Sequence, residues 1–142
     1  MAEITERNGV YMTEHIIKTS SQDQMINITN LVRQEVQKSS VRDGIAVVFV
    51  PHTTAGVTIN ENADPDVVHD LISIFRRAFP ESGSYRHMEG NSHAHAKASM
   101  TGSSCTVIIE NGILQLGTWQ GIYFCEFDGP RTRKIYIKIM QG

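Results

Sequence analysis

The amino-acid sequence predicts one α+β domain dominated by strands, with two main helices and one short helix. Three observations point there. Most of the chain carries apolar residues in short alternating or continuous blocks, bounded by Gly, Asn, Asp and Pro. Two stretches instead repeat their apolar residues at helical spacing, and a third is rich in alanine. From Cys105 to the C-terminus the pattern is β throughout, punctuated by Asn111-Gly112 and Asp128-Gly129-Pro130. At 142 residues, 40% of them hydrophobic, the chain is long enough to bury one core, so 1–142 reads as a single domain.

Residues 1–9 read as a flexible leader. Residues 10–19 are rich in strand formers, and Gln22-Asp23-Gln24 is expected to turn them back as a hairpin into Met25-Ile26-Asn27-Ile28. Thr29 is a plausible N-cap for a helix of about ten residues that sets Leu31, Val32 and Val36 on one face. Asp43-Gly44 breaks the chain before the continuous apolar run 45–50, the pattern of a strand covered on both faces. A loop through His52 leads to a short alternating strand at 57–60. The clearest helix follows, capped by Asp64, with Pro65 in its first turn, Pro80 beyond its end and Val68, Leu71, Ile72, Phe75 and Phe79 as its stripe. Residues 81–92 have few apolar side chains and read as a loop. Residues 93–100 form the short helix, and strands are expected at 105–110, 113–116, 121–127 and 133–140.

The charge balance is −2, and no basic–aromatic stripe is visible, which speaks against nucleic acid as a partner. No apolar run reaches the length of a membrane helix, and the N-terminus lacks the features of a signal peptide. Cys105 and Cys125 sit in apolar, strand-like runs. Buried free thiols in a reducing, cytoplasmic compartment are expected, a disulfide being the alternative.

Chemistry concentrates in three turn-rich clusters: Pro51-His52-Thr53-Thr54, Asn60-Glu61-Asn62-Ala63-Asp64-Pro65, and residues 85–97. Imidazole and carboxylate are the usual ligands of zinc-like ions and the usual proton carriers near neutral pH. His52 directly follows a buried strand, where a scaffold can hold it at a cleft. Glu61 has no local structural task, whereas N-capping is a sufficient one for Asp64. On a strand His93 and His95 would point the same way; on a helix they diverge by roughly 200°. Alanines at 94, 96 and 98 favour the helix, and the face of His95 also carries Asn91, Ser99 and Gly102. His95 is then the candidate ligand, His93 the bystander, and His69 a solvated surface residue. Gly102-Ser103-Ser104 can cradle a phosphate through its amides, aided by Lys97, Arg131 or Arg133. Trp119, in Gly117-Thr118-Trp119-Gln120-Gly121, either packs at a subunit contact or stacks on a ligand. Glu126 lies in an apolar strand and needs a partner if that face is buried.

Together, His52-Thr53-Thr54-Ala55-Gly56, Asn60-Glu61-Asn62-Ala63-Asp64-Pro65, Tyr85-Arg86-His87, Glu89-Gly90-Asn91, His95-Ala96-Lys97-Ala98-Ser99 and Gly117-Thr118-Trp119-Gln120-Gly121 closely resemble the YjbQ-like family, whose members are often labelled secondary thiamine-phosphate synthases. The resemblance runs from about Tyr11 to the C-terminus. It implies a β-rich α+β sandwich, a homotrimer, and a cleft near subunit contacts where histidines gather around a divalent metal, often zinc. It carries metal binding onto His52, His87 and His95, and catalytic duties onto Glu61 and Asp64. It also implies a weak transferase activity joining pyrimidine diphosphate and thiazole phosphate. The resulting expectation is a metal-dependent enzyme for a small phosphorylated or anionic metabolite, with Glu61, Asp64 and Lys97 catalytic. Asn60, Asn91, Ser103, Ser104, Trp119 and Gln120 are expected to bind substrate. The alternatives are a non-catalytic trimer that binds a metal or small ligand, and a structural trimer carrying adventitious metal.

Overall fold

The fold was determined as a computed structural model that describes residues 3–7 and 9–142, with side chains placed from residue 9 onward. Its elements run β1 (Glu3–Arg7), β2 (Val10–Lys18), β3 (Gln24–Asn27), α1 (Thr29–Ser39), β4 (Gly44–Phe49), β5 (Ala55–Glu61), α2 (Pro65–Ala78), α3 (Ser92–Thr101), β6 (Ser104–Glu110), β7 (Ile113–Leu114), β8 (Gln120–Glu126) and β9 (Thr132–Gln141). Every strand pairing is antiparallel. One sheet has the order β1-β2-β9-β4-β6-β7, the other β3-β8-β5. This is the expected single-domain α+β sandwich with three helices.

The main core fills the space between the sheets. Alternation turns Ile135, Ile137 and Ile139 of β9, Ala46 and Val48 of β4, and Val107 and Ile109 of β6 inward. Ile122 and Phe124 of β8 meet them from the smaller sheet, and α1 adds Val32 and Val36. The opposite face of β8 presents Tyr123 and Cys125, followed by Phe127, to Ala94 and Ala98 of α3 and to Val68 and Phe75 of α2. The smaller sheet is therefore a middle layer, and α3 is held close to it by small side chains.

Local chemistry explains the joints. Asp64 Oδ1 accepts from the Asp66 amide at 2.9 Å and caps α2, with Pro65 at its start. Asn111 and Gly112 both have positive φ (53° and 75°), as a two-residue turn between β6 and β7 demands. Helix α1 is capped differently from expectation. Thr29 is the first helical residue and Ile28 holds the cap position; Asn27 Oδ1 accepts from the Thr29 amide at 3.0 Å, and Thr29 Oγ1 accepts from the Ile122 amide instead of capping the helix.

Three further expectations change. The leader expectation over 1–9 lies partly outside the described residues, and Glu3–Arg7 form β1, paired along its length with β2. The hairpin expected around Gln22-Asp23-Gln24 does not form: β2 pairs with β9 over nine residues, while β3 joins β8 in the other sheet. A nine-residue strand finds a full-length partner in β9 and none in four-residue β3. The run 45–50 is also covered on only one face within the chain. Ala46 and Val48 are buried, whereas Phe49 is 43% exposed.

Cys105 and Cys125 are free thiols, and burial pushes them up to about 11 and about 12. No helix among the described residues is long and apolar enough to cross a membrane. Beneath α1, buried Glu35 accepts from Tyr11 OH at 2.9 Å and lies 3.4 Å from both His15 Nε2 and Lys38 Nζ.

Burial outweighs the attraction of Glu35 and holds His15 below its ordinary value near 6.5. The unfolded chain takes up that proton first as pH falls. The stability due to neutral His15 is complete above about pH 6.5 and is lost as pH drops through the folded value. Urea denaturation of wild type and His15→Gln should show a stability gap that narrows steadily on acidification from pH 7. A gap independent of pH would refute this assignment.

Candidate functional site

The site begins with a buried ion pair that ties the two sheets together. Glu126, at the end of β8, is fully buried. Its Oε1 accepts from Arg133 Nε at 2.9 Å and from Thr19 Oγ1 at 2.7 Å, and its Oε2 from the Phe127 and Asp128 amides at 3.1 Å each. Arg133 Nη2 closes the pair on Oε2 and also donates to Thr54 Oγ1 at 2.9 Å. Burial alone would raise the Glu126 carboxyl, but the hydrogen bonds from Arg133, Thr19 and the Asp128 amide hold it below the usual carboxylate range. Glu126 thus has the partner that its place in an apolar strand required.

Arg133 and its neighbour fix the loop after β4. Val50 donates its amide to Ser103 O at 2.8 Å, and the Lys134 amide donates to His52 Nε2 at 3.0 Å. With Nε2 accepting, a neutral His52 ring carries its proton on Nδ1 and offers a donor instead of a lone pair. Burial first, then the Arg133 guanidinium, hold His52 below its ordinary value, which keeps it neutral at pH 7.

A cavity of about 660 Å³ opens beside this loop. Its lining includes His52, Thr53, Thr54, His87, Glu89, Asn91, His95, Ser103, Arg131 and Arg133. The rings of His87 and His95 meet edge to face, with centroids 5.4 Å apart. His52, Thr53, His95 and Ser103 also border a second cavity of about 360 Å³ that continues toward Ser99 and Gly102. His52 and His95 therefore stand between two adjoining spaces. Asn91 is locked in place: its Nδ2 donates to Asp128 Oδ2 at 2.8 Å and to Glu89 Oε2 at 3.2 Å. Two carboxylates on one side fix the amide orientation. They leave Asn91 Oδ1 buried without a hydrogen-bond partner, which costs about 1–3 kcal/mol if nothing binds it.

The three histidines proposed from sequence thus share one cavity, joined by Asn91 and Ser103. Among the described residues, no three His, Cys, Asp or Glu side chains stand close enough together to hold an ion. The chemistry of the lining still suits a cation at the His87–His95 pair, because the acidic Glu89 borders the same space. Sequence reasoning assigned no role to Glu89, Thr54 or Asp128. For Glu89 a signal existed: an acidic residue in Glu89-Gly90-Asn91, in a loop that gives it no structural task.

Other candidates lie elsewhere. Asn60 and Glu61 are at the far end of β5, paired with Gly121 and Gln120, and the Asn62 amide donates to Trp119 O. The seven residues of β5 put that end roughly 20 Å from the His52 end. Within one chain, Asn60, Glu61, Asp64, Trp119 and Gln120 form a separate edge, with Asp64 occupied as a cap and Trp119 62% exposed. Ser104 does not line either cavity, because alternation along β6 turns it to the outer face. Lys97 is only 2% exposed, and its Nζ donates to Asp23 Oδ1 at 3.0 Å on the other side of α3. It stands four residues after His93, so the helical turn that brings His95 to the cleft carries Lys97 away.

Comparison with known proteins places this arrangement. The family described as UPF0047 protein YjbQ-like matches residues 13–142. The chain belongs to the YjbQ-like family. The YjbQ-like relative YugU of Bacillus subtilis is 58% identical over 125 residues, 87% of this chain and 95% of its own. A crystal structure of an uncharacterised YjbQ/UPF0047 protein from Clostridium acetobutylicum is 64% identical, covering 89% of this chain and 98% of its own, with a TM-score of 0.88. A YbjQ-like protein of unknown function from Sulfolobus solfataricus is 33% identical, with a TM-score of 0.90 over 94% of this chain and 98% of its own.

The ion pair beneath the cleft can be tested directly. Arg133→Met leaves the Glu126 carboxylate buried and uncompensated, and should cost about 3 kcal/mol or more in urea denaturation. Glu126→Gln combined with Arg133→Met should recover part of that loss, because no buried charge remains. A double variant no more stable than Arg133→Met would show that the pair matters for packing alone.

Proposed function

We propose that the cleft bounded by His52, His87 and His95 is the active site of a metal-dependent enzyme acting on a small phosphorylated metabolite. The observation that carries this reading is the single cavity in which three imidazoles, the Glu89 carboxylate and the Arg131 and Arg133 guanidiniums meet from separate segments. A divalent ion, zinc by the nature of the ligands, would be held by His87 and His95 with Glu89 beside them, and would neutralise a phosphate or diphosphate group.

The chain's own groups divide the remaining work. Arg131 donates to Asp128 through Nε and Nη2 and keeps further N–H groups for a phosphate. The Ser103 hydroxyl supplies another donor. The His52 Nδ1–H donates to an oxygen on which negative charge develops as a bond breaks. The thiazole nitrogen attacks through its lone pair and has no proton to give up, so Glu89 would act by charge: its carboxylate, fixed by Asn91 Nδ2, stabilises the positive charge that builds on the pyrimidine methylene carbon and the thiazole nitrogen as diphosphate leaves. The two adjoining cavities suit two reactants, in keeping with a transferase of the thiamine-phosphate synthase type. Balanced charge and free thiols favour a small metabolite in the cytoplasm over nucleic acid or membrane.

Assembly as a homotrimer is part of the proposal. The outer face of the six-stranded sheet exposes Ile16, Phe49, Ile108 and Met140 among Glu14, Lys134 and Lys138, a mixed surface that a neighbouring copy would cover. Heterologous contacts in a ring bring different patches together, which would set the Glu61–Trp119 edge of one copy against another copy.

Glu89→Gln should lower formation of thiamine phosphate from pyrimidine diphosphate and thiazole phosphate about 100-fold, with folding by circular dichroism retained. Unchanged turnover would remove Glu89 from the mechanism. Absence of turnover in the wild type, with metal bound, would favour a binding protein instead. Light scattering should give the mass of three 15.9 kDa chains. A stable species of one chain would refute the trimer.

A further inference from the structure

Helix α3 separates two different polar spaces. Asn91 and His95 face the histidine cleft, whereas His93 and Lys97, one turn apart, line a pocket of about 290 Å³ together with Gln22, Asp23, Arg76 and Glu81. Lys97 is buried there with a single acceptor among the described residues, Asp23 Oδ1. Arg76 Nε donates to the other Asp23 oxygen at 2.9 Å. Two cations thus share one carboxylate. The remaining N–H groups of Lys97 Nζ and the Nη groups of Arg76 have no hydrogen-bond partner among the described residues. Glu81, at the exposed rim like Arg76, balances the formal charge but accepts from Gln22 Nε2 at 3.2 Å and from none of these donors.

His93 supplies a second, independent observation. It is 4% exposed, its Nδ1 has no hydrogen-bond partner, and its Nε2 is 3.9 Å from Glu81 Oε1, too far for a hydrogen bond. Buried donors and imidazoles in native proteins are almost always satisfied. A single water molecule can accept from only two of these donors, whereas an oxyanion with several acceptor oxygens meets them together through charge-assisted bonds to Lys97 and Arg76.

We propose that this pocket is a second binding site, separate from the histidine cleft, for a small oxyanion of the phosphate or carboxylate class. Arg76 and Lys97 hold the charge, and His93 and Gln22 add polar contacts. The site makes no use of a metal and stands whether or not the cleft is catalytic.

The test uses the full chain, stripped of metal with a chelator, titrated separately with inorganic phosphate and with acetate at constant ionic strength set by chloride. Histidine-ring ¹H–¹⁵N spectra report on His93. A saturable shift of the His93 signals is expected with at least one of the two ions, and which one binds more tightly distinguishes phosphate from carboxylate. Arg76→Gln, a change at an exposed side chain, should weaken that binding about tenfold. His95→Ala should leave it unchanged. Lys97→Met should abolish it if the variant folds, and Arg76→Gln decides the matter if it does not. No saturable shift with either ion would overturn the proposal. So would binding that survives Arg76→Gln but disappears in His95→Ala, because the ion would then belong to the cleft.

Discussion

Glu126 and Arg133 face each other at the boundary between the two sheets, one at the end of β8 and the other near the start of β9. Neither charge would tolerate burial alone. Together with Thr19 and Thr54 they form a closed set of hydrogen bonds that joins the strand ends of both layers. Everything in the histidine cleft is hung from this joint. Arg133 holds Thr54, the next residue's amide orients His52, and the Asp128 amide leads to the side chain that locks Asn91. A buried pair of this kind adds little net stability, since desolvation offsets most of the attraction. What it supplies is one fixed geometry at the place where loops from four segments meet.

Helix α3 is the second organising element. Its alanines allow close packing on β8, and its polar residues are divided between two sides. Asn91 and His95 serve the cleft; His93 and Lys97 serve the pocket beyond. The close approach makes both spaces shallow extensions of the same helix, and it explains why two histidines only two residues apart have entirely different surroundings. It also accounts for the polar burial: Lys97 and Asp23 lie where α3 meets the crossing from β2 to β3.

The outer face of the large sheet and the far edge of β5 share one property: each presents side chains that the chain itself does not cover. Ile16, Phe49 and Ile108 are exposed although their strands are regular and well paired, and Trp119 is exposed in the turn before β8. Antiparallel sheets commonly place polar residues on such a face. Here the face mixes Ile16, Phe49 and Ile108 with charged residues, Glu14 and Lys134 pairing at 3.2 Å, a pattern that suits the contact between copies proposed above.

Local rules were enough for much of this. The caps of α2, the Asn-Gly turn, the helical divergence of His93 and His95, and the alternation of β6, β8 and β9 were legible because each depends on neighbours within a few residues. Long-range pairing was not. Which sheet takes β2 depends on the length and register of β9, more than a hundred residues away, and no local turn signal encodes that. The same limit divided the site residues. Sequence could name His52, His87 and His95, but only folding shows that Glu89 shares their cavity, that Glu61 is a strand's length away, and that Lys97 is spent on Asp23. Residue type and spacing determined the chemistry available; the packing of two sheets against α3 decided which groups meet, because burial and charge pairing are settled between segments and not within them.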